Sequence, residues 1–217
     1  MTFQSVVDQK GSMKVGCLIA AAVALVLVLI VGGMLVGRYN GLVALEEKTD
    51  AAWSEIDNQY KRRFDLIPQL VSTVKGAADF EKSTLEAVTE ARASVGRAQL
   101  PQGLPTDPAK LQAYMQAQQG LSAALGRLMV VVERYPDIKA NQNFLSLQDQ
   151  LEGTENRIAV ARRDYIDAVK QYNTYRRSFP TNLVAGMFGF ELLPQLQVDP
   201  AERETPQVEF EFGNESE

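Results

Sequence analysis

Between Phe144 and Phe179 the chain keeps a seven-residue apolar repeat without a slip, and few folds can use such a stretch. Alternating steps of three and four give Phe144, Leu147, Leu151, Thr154, Ile158, Ala161, Tyr165, Ala168, Tyr172, Tyr175 and Phe179, none of them charged. A helix with that stripe buries one seam along its length, as helices in bundles and coiled coils do. At the usual rise it extends about 50 Å. Its other faces carry Asp149, Glu152, Glu155, Arg157, Arg162, Arg163, Asp164, Asp167, Lys170, Arg176 and Arg177, as a solvated surface requires.

The run Val15 to Gly37 contains no charge. It is too long for an ordinary core helix and is read as one transmembrane helix. A cleaved signal peptide would have a shorter apolar region ending at a small-residue cleavage site. This run passes instead into Arg38-Tyr39-Asn40, where Tyr39 suits a membrane interface. Cys17, the one cysteine, precedes most of the apolar run, which is the wrong order for a lipoprotein, and it excludes an internal disulfide. Lys10 and Lys14 before the span balance Arg38 and Lys48 after it, so orientation stays open. A start at Met13 would remove Lys10 and favour a cytoplasmic domain.

Helical spacing resumes with Leu42 and Leu45, then Trp53, Ile56, Tyr60, Ile67, Leu70, Val74 and Ala77, with Arg63 in the slot between Tyr60 and Ile67. Pro68 predicts a kink near Phe64 to Pro68. A break around Gly76 to Glu81 is favoured, with Ser83 and Glu86 as a capping box for a second helix striped by Thr84, Val88, Ala91, Val95 and Ala98. The alternative is one rod from Leu42 to Gln99. Leu100 to Pro108, with three prolines and a glycine, is a linker. Asp107 then offers an N-cap and Pro108 suits the first helical position. Leu111, Tyr114, Gln118, Leu121, Leu125, Leu128, Val132 and Tyr135 stripe the next helix, which Pro136 ends, and Pro180 ends the final one. The sequence therefore predicts an all-α chain. It has an extension (1–14), a transmembrane helix (15–37), an antiparallel long-helix bundle (38–196) and a tail (197–217). The bundle has four helices, or three if 42–99 is continuous. The tail holds seven acids against Arg203, a net of −6 of the total −5, and is expected to be disordered. The body is left near neutral at +1, which gives no support for nucleic-acid binding.

A set of short motifs runs through the chain, beginning with Tyr39-Asn40 and Leu42-Val43, Ala52-Trp53-Ser54, Ile56-Asp57, Arg62-Arg63, Asp65-Leu66-Ile67-Pro68, and Leu70-Val71 with Thr73-Val74-Lys75-Gly76. It continues with Glu90-Ala91-Arg92-Ala93, Tyr135-Pro136, Lys139-Ala140-Asn141, Asn143-Phe144, Leu147-Gln148 and Glu152-Gly153-Thr154-Glu155-Asn156-Arg157-Ile158, closing on Pro180, Asn182 and Gly189-Phe190. Taken together, these motifs resemble the LemA family of bacterial membrane proteins. Gln69 and Ile166 stand where the family usually has Asn, and its aromatic pair near residues 195 to 197 is absent. The resemblance implies an antiparallel bundle behind one N-terminal anchor in a bacterial plasma membrane. It implies no agreed enzymatic activity, and a relative takes part in building magnetosome membranes.

The chain has no histidine, which removes His-based triads, the usual zinc sites and ordinary general-base catalysis at neutral pH. Glu152 and Glu155 lack the Glu-x-x-His partners of a di-iron bundle, and pairing with Arg157 or Arg162 suits them better. Lys61-Arg62-Arg63 with Asp65 is read as an intramolecular ion-pair cluster, with the Arg63 stem along the seam, the alternative being a phosphate or lipid site. Gly186 to Gly189 lacks phosphate-loop spacing. No catalytic, cofactor or metal residue is assigned. Two roles remain. Trp53, Ile56, Tyr60, Ile67, Leu121, Leu125, Leu128, Phe144, Leu147, Leu151, Ile158, Tyr165 and Tyr172 form the bundle seam. Tyr39, Arg176, Arg177, Leu183, Met187, Phe188 and Phe190 are candidates for the membrane interface, the alternative being that Leu183 to Phe190 packs against the base of the bundle. The expected function is a non-enzymatic membrane scaffold, with lipid and further copies of itself as partners. The alternative is an adaptor docking another membrane protein, such as a protease or phosphatase.

Overall fold

The computed structural model describes residues 5–76, 80–98, 100 and 103–196, with side chains from Leu18 onward. The acidic tail 197–217 and Ala77 lie outside the described residues, as do the side chains of Lys10, Lys14 and Cys17. Six helices occur among the described residues: α1 (Ser5–Lys75), α2 (Lys82–Arg97), α3 (Pro108–Val132), α4 (Pro136–Lys139), α5 (Gln142–Arg177) and α6 (Thr181–Phe188). No strand is found among them, and the fold is all-α.

The apolar run and the first bundle helix are one helix. Nothing between Gly37 and Leu42 forces a stop, since a lone glycine costs only about 1 kcal/mol in a helix and no proline intervenes. Beyond the apolar run, α1 buries Leu42, Thr49, Trp53, Ile56, Tyr60, Arg63, Ile67, Leu70 and Val74 against its neighbours. Steps of three and four connect them, through half-buried Leu45. Thr49 fits this polar slot by turning its hydroxyl back onto the Leu45 carbonyl, 2.8 Å away.

α1 ends at Lys75 and α2 begins at Lys82, so the chain breaks where expected and uses four long segments, not three. The expected capping box does not form. The N-cap is Glu81, without a side-chain cap, and Thr84 rather than Ser83 turns towards it, its Oγ1 lying 3.3 Å from Glu81 Oε2. Pro68 does not end α1. Its missing N–H leaves the Phe64 carbonyl without its helical donor. Arg92 of α2 supplies one instead, its Nε lying 3.3 Å from Phe64 O and its guanidinium over the Phe64 ring at 3.7 Å.

Asp107 caps α3 by accepting from the Ala109 and Lys110 amides, with Pro108 in the first turn. α3 stops at Val132, and Pro136 opens the short α4, which buries Ile138. Asn141 then caps α5 through the Asn143 and Phe144 amides. The α5 stripe is buried from Phe144 to Tyr172, but Tyr175 is half-buried and Phe179 is 79% exposed. The repeat runs past its helix there, because α5 ends at Arg177 and a residue before proline is held away from helical geometry.

α1 and α5 run antiparallel as the main pair, and α2 packs on α3. The core falls into two clusters along this axis. One, nearer the apolar span, joins Leu42, Trp53 and Tyr60 to Tyr114, Ile158, Tyr165 and Tyr172, and takes in Val184, Ala185, Leu193 and Leu196. The distal one joins Ile67, Leu70 and Val74 to Val88, Leu121, Leu125, Leu128, Phe144, Leu147 and Leu151. Each large side chain buried in this way stabilises the fold by roughly 1.5–3 kcal/mol.

Candidate functional site

The most apolar 18-residue window of α1 reaches a mean hydropathy of 3.0, and none of it is buried. Leu18 to Val36 instead present their side chains outward, Leu18 at 70% and Val28 at 67%. This is the one helix among the described residues long and apolar enough to cross a membrane. Tyr39 lies three residues past Val36. Its ring meets Phe188 at 4.9 Å and Phe190 at 5.7 Å, both edge-on. Arg38 sits over the Tyr175 ring, and a Cβ at Gly41 would come within 2.8 and 2.9 Å of ring atoms of Tyr175. Glycine at 41 leaves room for the Tyr175 ring, which any larger residue would have to displace. The end of α5, all of α6 and the start of the bundle thus meet immediately below the apolar span.

α6 is double-faced. Thr181, Val184 and Ala185 are buried against α1 and α5, while Leu183 is 56% exposed, Met187 74% and Phe188 60%. The inner face thus packs against the base of the bundle, and the outer face is left exposed. Gly189 ends the helix with a positive φ of 76°, and the Phe190 amide returns to the Ala185 carbonyl. The following strap is laced to α5. Tyr172 Oη donates to Glu191 O, Asn173 exchanges two hydrogen bonds with the Leu193 backbone, and Arg176 Nε donates to Phe190 O at 2.7 Å. Arg176, expected at the headgroups, is half-buried and holds the strap; Arg177 is the exposed cation of the pair.

Between the two core clusters lies a polar layer. Arg63, 1% exposed, donates through Nη1 to Ser122 Oγ (2.7 Å) and Glu155 Oε1 (2.6 Å), and through Nη2 to the side-chain oxygen of Gln118. Its guanidinium also lies 5.1 Å from the Tyr60 ring centre. The expected cluster with Asp65 is thus replaced by a bridge across α1, α3 and α5, and Glu155 pairs with Arg63. Two open clefts flank this layer and share Ser122 and Glu155. One, of about 330 Å³, reaches Tyr60, Met115 and Ile158; the other, of about 510 Å³, reaches Leu125, Met129 and Leu151.

Residues 52–210 match the sequence profile of the LemA family. The chain belongs to the LemA family. Magnetosome proteins MamQ 1 and MamQ 2 of Paramagnetospirillum magneticum are each 32% identical over 180 residues, covering 76% of this chain and 66% of theirs. Protein LemA of Metamycoplasma hominis is 27% identical over 150 residues, covering 69% of this chain and 64% of its own. The matches thus span just under two thirds of those relatives.

Electrostatics in this LemA-family bundle follow packing. Burial pushes Tyr172 up to about 12, with the negative charge of Glu46 adding to it, and raises Tyr60, Tyr114 and Tyr165 as well. Trp53, Tyr114 and Tyr165 pack ring to ring, with centres 5.3 and 6.3 Å apart across Trp53. The carboxyl of Glu46 is also raised, by partial burial and then by Glu47 and Asp50. The seam residues named from the sequence are all buried. Sequence reasoning missed Asn173, and Gln118 as an Arg63 partner, and it placed Phe179 in the buried stripe although it is exposed. The signal against that placement was the charge-free stretch between Arg177 and Glu191, which Pro180 interrupts.

Proposed function

We propose that this protein is a non-enzymatic, membrane-anchored scaffold that self-associates through its helical bundle and organises the bilayer in which it stands. The observation that carries the reading is the continuity of α1, which runs from Ser5 through the apolar span to Lys75. A bundle mounted on its anchor by an unbroken helix is held at a set angle to that anchor. Identical units held so meet side by side, and head-to-tail contacts close into rings or domes when the rotation permits. Confinement to a membrane raises their effective concentration, so modest contacts suffice. It is supported further by relatives that bear the name of a magnetosome protein.

The clefts between α3 and α5 favour a second reading, an adaptor whose bundle docks another membrane protein. The 510 Å³ cleft combines Leu125, Met129 and Leu151 with Gln148 and Glu152, a mixture suited to a partner helix. Native mass measurement and electron microscopy of full-length protein in mild detergent separate the two. Large homomeric particles support the scaffold, a discrete partner at fixed stoichiometry supports the adaptor, and a monomer at high concentration contradicts the scaffold.

A further inference from the structure

The outer face of α6 and its flanks form an apolar surface at one fixed level of the molecule. Phe179, Leu183, Met187, Phe188 and Leu192 are all more than half exposed, and no charged residue lies from Ser178 to Phe190. Such a patch on a soluble protein would mark a contact surface. Its position says with what. The Tyr39 ring packs on Phe188, and Tyr39 lies three residues beyond Val36, which is about 4–5 Å of helix rise. The polar layer on each side of a bilayer's hydrocarbon core is roughly 5–7 Å thick. If α1 spans the bilayer with its apolar run in the hydrocarbon, α6 therefore lies at headgroup depth on the same leaflet.

The patch is also held in place. Val184 and Ala185 are buried beneath it, and the strap after it is fixed to α5 through Tyr172, Asn173 and Arg176. Helices that lie in the interface plane have this character, apolar on the membrane side and anchored or polar on the other. Exposed Arg177 at the end of α5, and Arg38 above Tyr175, place cations beside it at that level.

We infer that α6 is a second membrane contact, a foot whose Phe179, Leu183, Met187 and Phe188 enter the headgroup–acyl boundary of the bilayer that α1 crosses. The ligand is the lipid surface itself. The foot rests on the spanning reading of α1 and deepens it, because one spanning helix leaves rotation and tilt free whereas two contacts restrict both.

The test uses full-length protein carrying Cys17→Ser and one new cysteine, labelled with nitrobenzoxadiazole and reconstituted in phosphatidylcholine–phosphatidylglycerol vesicles. Labels go at Met187→Cys, at Leu27→Cys within the span, and at Val130→Cys, which is 72% exposed far along α3. The label at 187 should lose most of the quenching by aqueous iodide seen at 130. It should gain quenching by lipids with a nitroxide high on the acyl chain. Iodide quenching at 187 equal to that at 130 overturns the foot. So does protection from both quenchers, which would mean that a second copy or another protein covers the patch. The label at 27 separates the two readings. If lipids with a nitroxide deep on the acyl chain fail to reach it, the spanning reading falls and the foot with it; if they reach 27 while the shallow nitroxide does not reach 187, the foot alone falls.

Discussion

Pro68 lies inside α1, and a residue on another helix compensates for it. The Phe64 carbonyl that Pro68 cannot satisfy takes its hydrogen bond from Arg92, whose guanidinium also covers the Phe64 ring. Arg92→Ala should cost about 1–3 kcal/mol, as loss of a charged donor to a partly buried carbonyl does. In a Pro68→Ala background the helix regains its own donor, so the same change should cost about 1 kcal/mol less. Denaturant unfolding of the four chains measures this, and strictly additive losses would show the two residues are independent. Alkaline pH probes the packed tyrosines. Tyr172 titrates near 12 in the fold against about 10 when unfolded, so the fold binds its proton more tightly. Its contribution is fully present below pH 10 and is lost as pH rises from about 10 to 12. A folding free energy flat across that window would contradict the burial argument. None of these pairings was legible in the sequence. Arg63 and Glu155 are 92 positions apart, and spacing carries no information across such a gap.

Element by element, periodicity read well wherever helices were long and one-sided. The stripes of α3 and α5 and the seam of α1 are buried at nearly every position named from the sequence, and Asp107-Pro108 marked the start of α3 correctly. Substitution tests the α5 stripe. Leu151→Ala and Ile158→Ala should each cost roughly 2–5 kcal/mol, and Glu152→Ala, on the exposed side, less than about 1 kcal/mol, by thermal or denaturant unfolding. Equal losses at all three would remove the seam. The reading failed where its signal was physically missing. The apolar span is hydrophobic on every side, so no period betrays that it continues into the bundle helix. α6 has only eight residues, too few for a period to emerge, and its double face shows only in the fold. Phe179 kept the arithmetic of the repeat after the helix carrying it had stopped, because α5 ends at Arg177.

At the scale of the whole molecule, α1 carries both the apolar run and the first rod of the bundle, and α5 returns antiparallel along it to bring α6 back beside Tyr39. If the apolar run spans the membrane, full-length protein should stay with membranes through a carbonate wash, and a chain beginning at Gly41 should be soluble and strongly helical. Release of the full-length protein by the wash would contradict the anchor. The scaffold reading depends above all on rigidity across Arg38 to Gly41, since a flexible joint there would leave each bundle free to swivel. Spin labels at Leu27→Cys and Arg62→Cys, in full-length Cys17→Ser protein diluted with unlabelled chain in lipid nanodiscs, measure it by electron–electron double resonance. Thirty-five residues of unbroken helix predict a single narrow distance distribution centred at about 50 Å. A broad distribution at shorter distances would mean that the span and the bundle are hinged, and that the bundle has no fixed angle to the membrane.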